Sequence, residues 1–415
     1  MENKVYDKEY PRIRYIEAFP VDTDQGRMIG LRDPSGIATG TILLSPDIFY
    51  LLQFFDGNHS TLDLRYEYMR AFGNFLYEDQ LSQILLNLDS HLFLDNHNFQ
   101  GQVIKIEQEF SAQRVRQAVL AGQSYEADPI KLREQIKSFF KSPQGAGLPA
   151  HTTGKKEVRG LIAPHIDLRG GGPCYSYAYK VLAESTGADC FVILGTAHAG
   201  IENLYSVLPK DFVTPFGQAK CDLEFIQLLE SNYQGDSESE LFPHKIEHTI
   251  EVQLIFLQYL YLSKRDFTFV PVLCSFSYPF LDPGHFPKES KIVKDFSAAL
   301  KRTISQYDKK VCLIASVDLS HVGPRYGDQN TPDLSFLAKV NQADQELLKY
   351  IENLDSEGFH RCIERYEDRY RVCGFAPIYT LLKSMEAKQG KLLKYSKTQV
   401  DPHNSTVTFA SMVFY

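Results

Sequence analysis

Four stretches of this 415-residue chain each set a side chain able to bind a metal ion or move a proton directly after an apolar run or before a helix. RGLIA (159–163) leads into Pro164-His165-Ile166-Asp167, and CFVILG (190–195) leads into Thr196-Ala197-His198. VCLIAS (311–316) leads into Val317-Asp318-Leu319-Ser320-His321, and YRVCGFAPIYTLL places Cys373 and Gly374 just before a predicted helix. Short apolar runs of this kind read as buried strands, and ligands of open α/β sheets sit beyond the carboxyl ends of the strands. Polar residues placed there must face water or line a shared cavity, and four such placements point to one cavity.

Two further groups belong to the same reading. Asp318 and His321 are close enough in sequence for a carboxylate to orient an imidazole as general base. Ser320 lies between them, but GxSxG is absent, so a serine hydrolase is not expected. In IEHTIEVQLIFLQYL a single helix would put Glu247 and Glu251 four residues apart on one face, with His248 beside them. Carboxylates at a helix start also interact well with its dipole, so Glu247 reads equally as a cap and as a cleft residue. His244 reads as a loop residue.

The elements that must carry these groups follow from periodicity. Residues 1 to about 100 predict two short strands, RIRYIEAFPV and GRMIGLRDP, then a helix after Ser45 or Asp47. Helices over Thr61 to Phe72 and Tyr77 to Leu88 come next, then HLFLD as a strand or wing. A polar linker is expected near 95–102. Beyond it, DPIKLREQIKSFFKS predicts a helix capped by Asp128 with Pro129 at its first position, followed by a Gly/Pro/Thr-rich loop over 142–157. Strands RGLIA, CFVILG, FTFVPVLC and VCLIAS then alternate with helices. That alternation predicts an α/β domain with a largely parallel central sheet. The terminal runs KLLKYSKTQV and STVTFASMVFY are separated by a short polar turn and should pair antiparallel.

Composition narrows the function classes. With 43% hydrophobic residues and a formal charge of −8, the chain can bury a core and carries no general attraction for nucleic acid. The start of the chain has no apolar signal region, and no apolar stretch approaches the ~20 residues that span a bilayer. Seven scattered cysteines without CxxC give neither a disulfide framework nor a zinc ribbon. A cytoplasmic protein is expected.

Over residues 113–415 the ordered motifs VRQAVLAGQSYEADP, APHIDLRGG, ILGTAH, VTPFGQAKCD, IEHTIEVQLIFLQ, VPVL, SVDLSHVGPRYG and VCGFAPI resemble the Memo family. That family includes the bacterial and archaeal members called system protein B of the AmmeMemoRadiSam group. The resemblance implies a fold similar to class III extradiol dioxygenases. It places metal-type ligands on His165, His198 and Cys373, with Asp318, His321, Glu247 and His248 lining the cleft. Two imidazoles and a thiolate suit Fe, Cu or Zn, and suit Mg or Ca poorly. Three protein ligands leave one position for water, dioxygen or substrate. The helix start and Arg371 are expected to favour the Cys373 thiolate.

Two positions depart from the family pattern. Ala199 stands where many members have a second histidine, and Asp167 adds a carboxylate after the first. The extradiol enzymes use a carboxylate as third ligand, so Cys373 weakens a claim of ring cleavage. Residues 1–100 resemble PqqD-like domains, which bind peptides, although a packing or oligomerisation module fits this segment as well. Three functions follow as expectations. The first is a metal-dependent redox enzyme acting on an unknown small molecule or modified macromolecule, with a small molecule or peptide as its expected partner. The second is a hydrolase or transferase with Cys373 as nucleophile. The third is a binding partner of radical S-adenosylmethionine and AMMECR-type proteins.

Overall fold

The computed structural model describes residues 9–415 except 25, 34, 39, 151–155, 186, 238, 239 and 263. Part of the expected 142–157 loop therefore lies outside the described residues. The chain divides into two compact units at Gln113/Arg114. No helix among the described residues is long and apolar enough to cross a membrane.

The first unit holds an antiparallel sheet of β1 (Glu17–Thr23), β2 (Gly26–Arg32) and β3 (Thr41–Leu44). Its helices gather Leu51, Leu64, Leu81 and Leu88 into a core with Leu31 and Phe55. The helix Thr61–Phe72 forms as predicted, because Ser60 and Asp63 make a reciprocal cap and Gly73 ends it in the left-handed conformation. Two expectations need correction. The polar stretch read as a linker is the start of a helix, His97–Ala112, which Asn96 caps by accepting from the Phe99 amide. HLFLD makes only an isolated bridge, Leu94 to Ile13. Ser45 holds the N-cap position of the helix Pro46–Leu51 but makes no side-chain cap bond, and the Asp47 carboxylate accepts from the Tyr68 hydroxyl at 2.6 Å.

The second unit is the expected α/β domain. Its strands are β4 (Val115–Arg116), β5 (Gly160–Ala163), β6 (Cys190–Thr196), β7 (Tyr205–Val207), β8 (Asp211–Thr214), β9 (Gly217–Cys221), β10 (Thr268–Cys274), β11 (Val311–Ser316), β12 (His321–Val322), β13 (Gly390–Gln399) and β14 (Thr406–Phe414). The main path runs β12-β14-β5-β11-β6-β10-β9-β8-β4, with β13 on β14 and β7 on β10. At its centre β5, β11, β6 and β10 are mutually parallel. β5, β6 and β11 are buried at every residue, which is why they read as unbroken apolar runs rather than alternating ones. β13 and β14 pair antiparallel as predicted. Because β11 lies between β5 and β6, the chain leaves three neighbouring strands at His165, Val317-Asp318 and Ala197-His198.

In the first unit, Asp33 accepts from Arg14 and from the amides of Ser35, Ile37 and Ala38. Burial works against the charge, but Arg14 and Ser35 outweigh it and hold the carboxyl down to about 2. The stabilisation is complete above the ordinary carboxyl value of ~3.9 and is lost as pH falls through about 2. Asp33→Ala leaves a buried guanidinium unpaired and should cost roughly 3–5 kcal/mol. Hydrogen exchange of peptides within 9–113 in the full chain checks this; unchanged protection at neutral pH would refute it.

A candidate metal centre at the ends of the parallel strands

His165 is buried, and its Nδ1 lies 3.0 Å from the Ser316 carbonyl, which can only accept. The proton is therefore on Nδ1, and Nε2 presents a lone pair. That Nε2 faces Cys373 Sγ at 3.4 Å and Asp318 Oδ2 at 3.4 Å. Asp318 Oδ1 accepts from the amides of His165 and Ile166. Burial pushes its carboxyl up to about 7, with those two amides pulling the other way.

His198 is anchored in the same fashion by a different acceptor. Its Nδ1 and its amide both meet Glu247 Oε2, at 3.0 and 2.9 Å. The other oxygen, Oε1, takes the Nδ1 of His248 at 3.0 Å and its amide at 2.8 Å. One carboxylate thus orients two imidazoles, whose rings stack 9° from parallel with centroids 5.4 Å apart. His165 completes the triangle at 5.0 Å from His198 and 5.6 Å from His248. Burial resists ionisation of Glu247, but the two imidazoles prevail and hold its carboxyl well below the usual range. The same pairing raises His198 against its burial, while burial and the neighbouring rings hold His165 well below the normal imidazole value.

Glu247 does not share a helix face with Glu251. The helix begins only at Glu251, and Glu247 is extended, at the end of the short turn Pro243–Ile246. Arg116 explains the break. Its fully buried guanidinium donates to the carbonyls of His244 at 3.0 Å and Glu247 at 2.6 Å, and pairs with Glu251. Glu251 also accepts from Tyr125 and from the amides of Val119 and Leu120. The segment 115–125 therefore clamps the Glu247-His248 stretch from behind.

A second anchor underlies the strand ends. Gln253 donates to the Pro164 carbonyl at 2.6 Å and to the Ser316 hydroxyl at 2.7 Å, and the Thr249 hydroxyl donates to the Thr196 carbonyl at 3.2 Å. Arg116, Gln253 and Thr249 were missed in the sequence. The signal for Gln253 was a polar residue inside an almost wholly apolar helix. His244 also differs from expectation: it is buried, with Nε2 on the Ser206 carbonyl at 3.1 Å.

Glycine lets the last ligand-type residue approach. A Cβ on Gly374 would lie 2.6 Å from the Asp318 carbonyl, so the Cys373-Gly374 turn can sit on Asp318 only with glycine there. The Cys373 carbonyl accepts from the Thr196 hydroxyl at 3.1 Å. Burial, then the charge of Asp318, drives the Cys373 thiol well above its ordinary value. The expected thiolate is thus not favoured by the protein alone. Arg371 gives no help, because it is committed to the His321 carbonyl and Asp328.

The expected Asp318–His321 pair is replaced. Asp318 faces His165, and His321 Nδ1 lies 3.0 Å from the Leu319 carbonyl and 3.2 Å from that of Arg371. Burial is the main cause that lowers His321 to about 4. The Ser320 hydroxyl binds Asp344 at 2.6 Å, in keeping with the absence of a serine triad. Asp167 caps the helix Leu168–Ala183 and pairs with Arg169 at 2.7 Å, so it adds no carboxylate to the cluster.

Among the described residues, two groups have ligand atoms mutually within 4.8 Å: His165, His198 and Cys373, and His198, Glu247 and His248. The sequence pattern of Memo-like proteins matches residues 116–413. The chain belongs to the Memo family. A MEMO1 family protein of Aquifex aeolicus is 28% identical over 98% of this chain and 100% of its own length. One from Methanopyrus kandleri is 32% identical, and one from Saccharolobus solfataricus 29%; each covers 72% of this chain, at 98% and 99% of its own length. The family match begins at residue 116, just inside the second unit, and leaves the first unit outside it.

Removing Arg116 should expose how far the clamp matters. Arg116→Met leaves the Glu251 carboxylate buried without its cation, so a loss of roughly 3–5 kcal/mol is expected in denaturant unfolding. A midpoint unchanged within error would show that the ion pair does not hold this segment.

Proposed function

We propose that this Memo protein is a metal-dependent redox enzyme in which His165, His198 and Cys373 hold Fe, Cu or Zn and an unknown small molecule or peptide is the substrate. The carrying observation is that ligand atoms of His165, His198 and Cys373 lie within 4.8 Å of one another, with His165 Nε2 3.4 Å from both Cys373 Sγ and Asp318 Oδ2. Burial keeps the imidazole unprotonated, so its Nε2 lone pair is available to a cation that would take the place of the Cys373 thiol proton. The donor set, nitrogen and sulfur with an adjacent carboxylate, fits a borderline or soft ion. When bound, such an ion would supply Lewis acidity or electron transfer at an open coordination position.

The chain's own groups divide the remaining work. Glu247 fixes the rings of His198 and His248 through their Nδ1 atoms, which leaves their Nε2 atoms as the ring nitrogens not bound to it. Asp318, with a carboxyl near neutrality, can hold or release a proton beside the His165 ring. His321, lowered to about 4 mainly by burial, is neutral at physiological pH. The same observations disfavour Cys373 as a free nucleophile, since its thiol is held protonated.

Metal content of protein purified without added metal tests the reading. The wild type is expected to carry close to one equivalent and His165→Ala far less; equal content in both would remove the proposal. Glu247→Gln keeps the shape but weakens the hold on both rings, and should lower metal affinity by about 10–100-fold. Competition with a chromogenic chelator gives that affinity, and a value within twofold of wild type would deny Glu247 its orienting part.

A further inference from the structure

The stretch Asp318–His321 is bonded along one side to the turn that carries Cys373. The Asp318 carbonyl accepts from the Gly374 amide at 3.1 Å and lies 3.6 Å from Cys373 Sγ. The His321 amide donates to the Tyr370 carbonyl at 2.7 Å, and Arg371 donates to the His321 carbonyl at 3.1 Å. The place of the sulfur therefore follows the place of this stretch. Its other side is joined to β14. The Leu319 amide donates to the Thr408 carbonyl, the Thr408 amide to the Ser320 carbonyl, and the Ser320 amide to the Thr408 hydroxyl at 2.9 Å.

One carboxylate closes this junction. Asp344, on the helix Leu334–Glu352, is fully buried and takes the Ser320 hydroxyl on Oδ1 at 2.6 Å. Its Oδ2 takes the Thr408 hydroxyl at 2.6 Å and the Tyr395 hydroxyl of β13 at 2.7 Å. Three hydroxyls, from the stretch itself and from both strands of the terminal hairpin, thus converge on one group. No cation among the described residues pairs with it. A buried carboxylate without a cation is a poor source of stability beside an apolar side chain of its size, so its use here is directional. Because it accepts only, each hydroxyl proton is aimed at it, and the Thr408 oxygen is left to accept from the Ser320 amide.

We infer that Asp344 is a positioning residue for the candidate centre: through Ser320 and Thr408 it fixes the Asp318–His321 stretch, and through that stretch the Cys373 sulfur. The two histidines have anchors of their own. Gln253 holds the Pro164 carbonyl, the Ser316 carbonyl takes the His165 ring, and Glu247 takes the His198 ring. Asparagine at position 344 presents an NH2 group where one acceptor oxygen stood. At least one hydroxyl must then turn away, and the Ser320–Thr408 junction slackens. The sulfur loosens while the imidazoles stay. This deepens the proposed function and rests on Cys373 belonging to its site, but the link from Asp344 to the sulfur is testable without a metal.

Iodoacetamide labelling of the metal-free full chain, resolved by mass spectrometry, reads the looseness of the Cys373 turn. In the reaction Sγ bonds to the methylene carbon, iodide leaves, and the thiol proton goes to solvent. Cys312, buried within β11, reports opening of the whole unit in the same sample. The ratio of the Cys373 rate to the Cys312 rate is expected to rise at least fivefold in Asp344→Asn, and by a smaller factor in Ser320→Ala. Ser320→Ala keeps the carboxylate and carries the test if the other variant does not fold. Asp222→Asn controls for mere loss of stability. That carboxylate is also buried and also takes two hydroxyls, from Thr268 and Tyr307, but it sits at the first residue of β10, away from the ligand end. Its ratio should stay within twofold of wild type. A ratio unchanged in every folded variant of the Asp344–Ser320 pair, or raised as much by Asp222→Asn, would overturn the positioning role. In cobalt-loaded protein the sulfur-to-metal absorption per bound ion should fall by at least half in the same pair and hold in Asp222→Asn; an unaltered band would also overturn the role. A wild type that takes up no cobalt would refute the metal reading and leave the labelling ratio to decide on Asp344.

Discussion

The candidate centre depends first on a single carboxylate that uses both of its oxygens. Glu247 Oε2 takes the ring and amide of His198, and Oε1 takes those of His248. If either ring turned, its Glu247 oxygen would keep only backbone amide donors and lose its bond to the imidazole. The carboxylate itself is fixed from the other side, since Arg116 holds the Glu247 carbonyl and is locked in turn by Glu251. An ion pair this deeply buried adds little net stability over an apolar substitute, so its use here is geometric.

Sheet order supplies the second constraint. β5 and β6 flank β11, so their ends stand about 9.5 Å apart at normal strand spacing. The rings of His165 and His198 are nevertheless 5.0 Å apart. They lean toward each other across the end of β11, with Asp318 beneath. The Cys373 turn reaches the same point only because Gly374 permits contact with the Asp318 carbonyl. Three strand ends and one helix start thus converge without any covalent link.

Much of this was legible in the residues. Fully buried parallel strands leave uninterrupted apolar runs, and the polar residue after each run marks the functional edge, so the positions of His165, His198 and Asp318 followed directly. Partner choice did not. Nothing in VDLSH shows that Asp318 turns toward His165 while His321 seeks carbonyl groups, because that depends on the crossing of β14 and the 371–374 turn. The helical period through Glu247 and Glu251 also misled, since a distant guanidinium competes for the backbone there. In the first unit, the polar face of the helix His97–Ala112 mimicked a linker because only Phe110 of it is fully buried.

The family relatives put the second unit in proportion. Archaeal members cover only 72% of this chain at nearly their whole length, whereas the Aquifex relative spans both units. The residues of the candidate centre all lie in the second unit. X-ray absorption spectroscopy at the edge of the bound metal addresses the central claim most directly. One sulfur scatterer, at about 2.3 Å for zinc, together with imidazole shells that diminish in His165→Ala, is the expected spectrum. A shell made of oxygen and nitrogen alone, with no sulfur, would contradict the account.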